Sequence, residues 1–295
     1  MRSRRPMMAA ALMASAALML TVSANAKTPK QYRIFPVTSF NSNFTEPPAA
    51  DMNYYGGTVF SYANIVSVMW NKDVLQNTQD QIPPLSAALV NSTYIDQAKE
   101  YSTKGVVAIN GHKGTNQKIH RGTYFGQVVL KPHNTSKSLT DADVQQEIKR
   151  KIRKGVLPPR DRNTVYMIYF PSYITINLDG LISCQSFGAY HFATNDAKTA
   201  KKKNIFYSVE PECNSGFGFL TFAASHEFAE AVTDNVPTPG SNPDWPQAWN
   251  DSAGYEVGDK CGGSGTLTSK KGSWTVTQYY LNSRHGCSTG NYTSP

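Results

Sequence analysis

Apolar positions along the chain follow two periodicities, and each predicts its own elements. Residues 164–170 (Thr-Val-Tyr-Met-Ile-Tyr-Phe) are apolar almost without a break, as in a strand covered on both faces, and residues 205–209 repeat that character. β-Branched and aromatic residues behind the turn-forming Gly56-Gly57 predict strands over 57–60 and 65–70, and similar runs predict strands over 106–109 and 123–130. Helical spacing marks three other segments. After Pro83-Pro84, Leu85, Leu89, Ile95 and Ala98 recur about one turn apart and predict a helix over 85–101. Val144, Ile148 and Ile152 recur every fourth residue within 139–154. Thr140 is placed to cap that helix, Asp141 and Asp143 lie in its first turn, and basic residues followed by Gly155 close it. The third helix, 217–235, is apolar on most sides, with Asn214 or Ser215 as its cap and Asn235 with Pro237 at its end. Helices separated by such strands predict a mixed α/β fold, with one central mixed sheet flanked by helices.

The N-terminus changes the picture of where the chain works. Arg2, Arg4 and Arg5 precede an apolar run from residue 7 to about 22, which closes on Ala24-Asn25-Ala26. That is the pattern of a cleavable signal peptide over residues 1–26, and the run is short for a bilayer span. Cleavage leaves 269 residues and lowers the net charge from +8 to +5, since three arginines go and no acid goes with them. The expected product is secreted or periplasmic, with no integral membrane segment. Residues 27–52, polar and ending near Pro47-Pro48, read as an irregular leader, and 53–295 as a single domain. The small basic excess does not suggest nucleic acid as a partner. The basic residues 149–154 read as a solvated helix face.

Cys184, Cys213, Cys261 and Cys287 all lie in the C-terminal half. An even count in an exported chain predicts two disulfides. Of the three pairings, the sequential one, Cys184 with Cys213 and Cys261 with Cys287, closes the shorter loops and is the expected one. No two cysteines stand at the close spacing of a zinc–cysteine site.

The chemistry is concentrated in the third helix. Into its apolar surface the sequence puts His226, Glu227, Glu230 and Asp234. Bare carboxylates in a low-dielectric setting cost several kcal/mol each unless paired or bound to a cation. Residues four apart share a helix face, so His226 and Glu230 can converge on one metal ion, with Glu227 beside them as general base for a metal-bound water. This is the spacing of the His-Glu-x-x-His zinc peptidase helix, with Glu230 in the second histidine's place. A third ligand is expected from the segment 254–261. Glu256 is the leading choice, and Asp259 is placed to orient His226 through its other ring nitrogen. Asp234 is a competing ligand or an orienting partner, and Asp251 and His191 are weaker candidates. The donor set suits zinc and would also accept calcium or manganese. His112, His120, His133 and His285 sit in polar surroundings and read as surface residues.

Taken together, these segments resemble the EXORDIUM-like (phosphate-induced) family of secreted proteins. The likeness runs in order from Tyr54-Tyr55-Gly56-Gly57 and Val66-Ser67-Val68-Met69-Trp70 through Ser138-Leu139-Thr140-Asp141 and Gly155-Val156-Leu157-Pro158. It continues through the helix segment from Ser225 to Asp234, then Ala248-Trp249-Asn250-Asp251 and Glu256-Val257-Gly258-Asp259-Lys260-Cys261. The resemblance implies export, a zincin-like active-site helix, and a metal carried by His226 and its partners with Glu227 in the base position. The functional expectation is a secreted metal-dependent hydrolase acting on peptides or proteins. The rival class is a non-catalytic cell-wall glycan or receptor binder, with a structural metal or none, using aromatics at Trp245, Trp249 and Tyr279-Tyr280.

Overall fold

The structure, a computed structural model, describes residues 34–35, 50–195, 204–237 and 245–295. The expected signal peptide lies outside the described residues, as does most of the leader. In the first half of the chain the strands are β1 (Asn53–Tyr54), β2 (Asn64–Met69), β3 (Tyr124–Val129), β4 (Ser138–Thr140), β5 (Thr164–Phe170), β6 (Thr175–Leu178) and β7 (Leu181–Ile182). There follow β8 (Tyr190–Asn195), β9 (Asn204–Pro211), β10 (Trp249–Asn250), β11 (Ser264–Ser269), β12 (Gly272–Thr277), β13 (Tyr280–Leu281), β14 (Gly286–Cys287) and β15 (Asn291–Thr293). The helices are α1 (Gln76–Val90), α2 (Thr93–Gln97), α3 (Asp141–Arg153) and α4 (Phe217–Thr233).

The unbroken apolar runs become the middle of one five-stranded sheet of order β3-β2-β5-β9-β8. The first four strands pair in parallel, and β8 forms one edge, antiparallel to β9. Pleating sends alternate residues to opposite faces. Ile65, Met69, Val165 and Met167 face one core with Leu85 and Leu89 of α1 and Ala224 and Phe228 of α4. Val66, Val68, Tyr166 and Ile168 face the other, where Val144 and Ile148 of α3 cover them. The chain is thus mixed α/β, as its patterning predicts. α3 starts as read: the Thr140 side chain accepts from the Asp143 backbone while Asp143 reaches back to the Thr140 backbone.

Three predicted elements take a different form. Residues 57–60 are not a strand: Gly57 N–H donates to Gln247 O and Phe60 N–H to Val232 O, so a loop and the end of α4 satisfy this backbone in place of a ladder. Residues 106–109 are not a strand either, and Val107 and Ile109 point to solvent. The helix predicted over 85–101 begins earlier, at Gln76, carries Pro83 and Pro84 inside it, and breaks before the short α2.

Both disulfides form in the sequential pairing. Cys184–Cys213 ties the turn ahead of β8 to the residues just before α4, and Cys261–Cys287 ties the segment after Glu256 to β14. No described helix is long and apolar enough to cross a membrane.

Candidate functional site

α4 is buried from Phe219 to Thr233, so its polar side chains cannot escape into water. Its N-cap is Gly216 at a φ of 86°, a backbone that favours glycine; Asn214 and Ser215 do not cap it. The helix delivers His226, Glu227 and Glu230 to the sheet side, where β8 brings His191 and the 254–261 loop brings Glu256 and Asp259. Exposure of His191, His226, Glu227, Glu230 and Glu256 is between 0% and 3%. Ligand-type atoms of His226, Glu227 and Glu230 lie within 4.8 Å of one another, and so do those of His191, Glu230 and Glu256.

Glu230 is common to both groups and turns one oxygen to each histidine. His226 Nε2 is 2.9 Å from Glu230 Oε1, and His191 Nδ1 is 3.7 Å from Glu230 Oε2. The His226–Glu230 approach falls outside hydrogen-bond angles. Two neighbouring ligands on one ion at bond lengths of ~2.1 Å stand about 3 Å apart, so the spacing suits a shared cation. Glu227 Oε2 is 3.1 Å from His191 Nδ1, while its Oε1 is buried without a hydrogen-bond partner among the described residues.

Glu256 lies 3.6 Å from His191 Nε2 and groups with His191 and Glu230, not with His226. Asp259 approaches His226, but at Nε2 (3.5 Å), the same nitrogen that faces Glu230, and not at the other ring nitrogen. Nδ1 faces Gly258 instead. Asp259 N–H donates to Glu230 Oε1. Asp234 is not placed as a ligand: its carboxylate accepts from Ala248 N–H and Asn250 Nδ2, pinning β10 to the end of α4. Its backbone carbonyl does reach the site and accepts from His191 Nε2 at 3.0 Å. That contact puts a proton on Nε2, since a carbonyl can only accept, while Nδ1 faces Glu227 Oε2. Asp251 lies apart, accepting from Lys260 Nζ at 2.7 Å.

His191 is thus more central than its sequence context suggests, and Glu210 of β9 was not read from the sequence at all. Glu210 is fully buried, and pleating puts it on the α4 face. The missed signal was a carboxylate inside an apolar strand, the same anomaly that marked α4.

Burial sets the electrostatics. It pushes Glu230 up to about 7, with the Asp259 charge adding and His226 opposing. It raises Asp234 to about 6, against the two hydrogen bonds it accepts. Burial and the Glu227 charge drive Glu210 well above the carboxylate range. For the histidines burial works downward but is outweighed: Glu230, Asp259 and Glu227 hold His226 well up, and Glu227 and Glu230 raise His191. Excess negative charge in a dry site must be met by protons or by a cation.

Gly258 is what lets the loop close on the helix. A Cβ there would stand 2.8 Å from His226 Nδ1, 2.9 Å from its Cε1 and 3.0 Å from Glu230 Oε1. Gly258→Ala is therefore expected to cost about 1–3 kcal/mol through overpacking. An unchanged urea midpoint for that variant would show that the loop is not tightly seated.

The aromatics of the rival glycan reading are mostly interior. Trp249, Tyr279 and Tyr280 are 9% exposed or less, whereas Trp245 is open and stacks on His112. No family model, no curated protein and no solved structure matches the chain. The functional reading therefore rests on the residues themselves, and their centre is the buried group of two histidines and three glutamates that α4, β8 and the 254–261 loop bring together.

Proposed function

We propose that the chain is a secreted metal-dependent hydrolase, with peptides as its substrate class, in keeping with its resemblance to the exported EXORDIUM-like proteins. The observation that carries this reading is a pair of buried triads that share Glu230, His226 with Glu227 and Glu230, and His191 with Glu230 and Glu256, in a site with almost no water contact. His226 and Glu230 would hold the ion, with Glu256, which groups with Glu230 on its other side, as the proposed third ligand. A nitrogen and carboxylate oxygens suit zinc, and manganese or calcium are the alternatives. Bound there, a metal supplies Lewis acidity and lowers the pKa of a coordinated water. Glu227 would accept the proton of such a water through its unpartnered Oε1, while His191 Nδ1 on Oε2 holds the carboxylate in place. The Asp234 carbonyl fixes the His191 ring through Nε2.

Elemental analysis of the mature protein, purified without a metal-affinity tag, tests the proposal. About one equivalent of metal is expected, lost on Glu230→Ala. A metal-free native protein that takes up neither zinc nor manganese would sink it. The near-zero exposure of the cluster favours one second reading, a structural ion or a proton-filled network with no turnover.

The pH dependence has a definite sign. In the metal-free protein Glu230 and Asp234 are raised above their unfolded values, so their contribution is full below about pH 4 and fades as pH climbs toward 6 and 7. His226 and His191 are also raised, so their contribution is full below about pH 6.5 and is lost at higher pH. All four act in one direction. Thermal melts in EDTA should fall from about pH 4 to 8, and the gain on adding zinc should grow across that window, because the ion displaces the protons. A zinc effect that shrinks with rising pH would contradict this.

A further inference from the structure

The site is covered by a piece of the chain read from sequence as irregular leader. Phe35 N–H donates to Ala189 O at 3.0 Å, and Gly188 N–H donates to Phe35 O at 2.7 Å, an antiparallel bridge on the segment leading directly into β8. β8 is an edge strand, and two residues past Ala189 it carries His191. The Phe35 ring is 1% exposed, with its centroid 4.9 Å from that of His226, 5.4 Å from Phe222 and 5.7 Å from Phe219.

The receiving surface has room for an aromatic ring at one point only because residue 188 is glycine. A Cβ there would meet Phe219 Cζ at 2.5 Å and Phe35 Cδ1 at 3.0 Å. Phe35 does not belong to either large core. It sits in a small cluster of its own with Ala189, Phe219, Phe222 and Ala223, the kind of satellite contact that can open without unfolding the sheet. The next residue, Pro36, has no N–H with which to continue the ladder.

From this geometry we infer that the Gly188–Ala189 edge and the Phe219/Phe222 pocket form a docking site for an extended peptide bearing an aromatic side chain, and that Phe35 fills it as an internal ligand. The peptide adds to the sheet edge through its backbone, and the pocket selects its side chain. The inference deepens the hydrolase reading by giving its substrate a backbone direction and a side chain, and it makes residues 34–35 an inhibitory strap over His226. With the strap seated, the catalytic face is closed.

The test uses the full mature chain carrying Phe35→Ala, in EDTA so that the result is independent of the metal. The probe is a capped peptide of the sequence from Gln31 to Thr38. Calorimetry should show it binding the variant, binding the native chain at least about tenfold more weakly, and losing about tenfold or more when its own phenylalanine is alanine. No binding to a folded variant, or equal binding to native and variant chains, would overturn the inference. If Phe35→Ala fails to fold, hydrogen exchange on the native chain decides. The Gly188 amide should exchange by local opening, faster than the β9 amides; exchange only on global unfolding would make Phe35 a fixed core residue. Absence of metal in the elemental analysis would remove the hydrolase while leaving the peptide result intact, so the two failures are separable.

Discussion

Glu227→Gln should retain its full complement of metal and lose a factor of about 10²–10⁴ in turnover. The substitution keeps the shape of the side chain and its contact with His191 Nδ1, at 3.1 Å in the native chain, so the architecture is undisturbed. It removes the one property the mechanism asks of this residue, the ability of the outer oxygen to accept and return a proton. The measurement pairs elemental analysis with the rate on whichever quenched-fluorescent peptide the native chain cleaves fastest. Turnover that survives in the variant would take Glu227 out of the base role and leave the cluster as a structural site. Loss of metal together with loss of activity would instead make Glu227 a ligand, as its place within 4.8 Å of His226 and Glu230 allows.

Lys260→Met should destabilise the fold by about 3–5 kcal/mol, the range for removing one partner of a buried ion pair. Lys260 Nζ and Asp251 Oδ2 are 2.7 Å apart with both side chains at 2% exposure or less. Asp251 also accepts from the Ala253 and Tyr255 backbones, so it cannot swing out to water once the ammonium is gone. Lys260 covers the Tyr280 ring as well, at 4.9 Å. The pair clamps the two ends of the loop that presents Glu256 and Asp259, so the variant should also bind metal less tightly. Adding Asp251→Asn removes the stranded charge and should recover part of the loss. Urea melts of the single and double variants check this, and a double variant no more stable than the single would mean the cost was packing rather than charge.

The parts of the fold that patterning revealed are those where one physical requirement dominates. β5 is apolar on both faces because both faces are covered, and its bounds follow from that alone. α3 announces itself because Thr140 and Asp143 cap each other and its apolar stripe is narrow. α1 is concealed because its first turns, Gln76 to Gln81, carry no apolar stripe, and because Pro83-Pro84 read as a boundary when they lie inside the helix. The segment 57–60 has the composition of a strand but finds its hydrogen bonds on a loop and a helix end. In the site, His226, Glu227 and Glu230 are legible because one helix presents all three. His191 and Glu210 come from strands whose neighbours are set only by the sheet order, and nothing local in the sequence says that β8 and β9 lie beneath α4. The covering role of Phe35 depends on a contact across more than 150 residues of chain, and no local pattern encodes it.

Each of the two cystine crosslinks lies close in sequence to elements that build the site. One holds the approach to His191 against the start of α4, and the other anchors the loop that carries Glu256. Within a reducing cytoplasm neither staple closes, so the two outlying donors are not secured around the helix. Oxidation would then precede any ion capture. If the cluster is a metal site, a newly made chain would complete it only where thiols are oxidised.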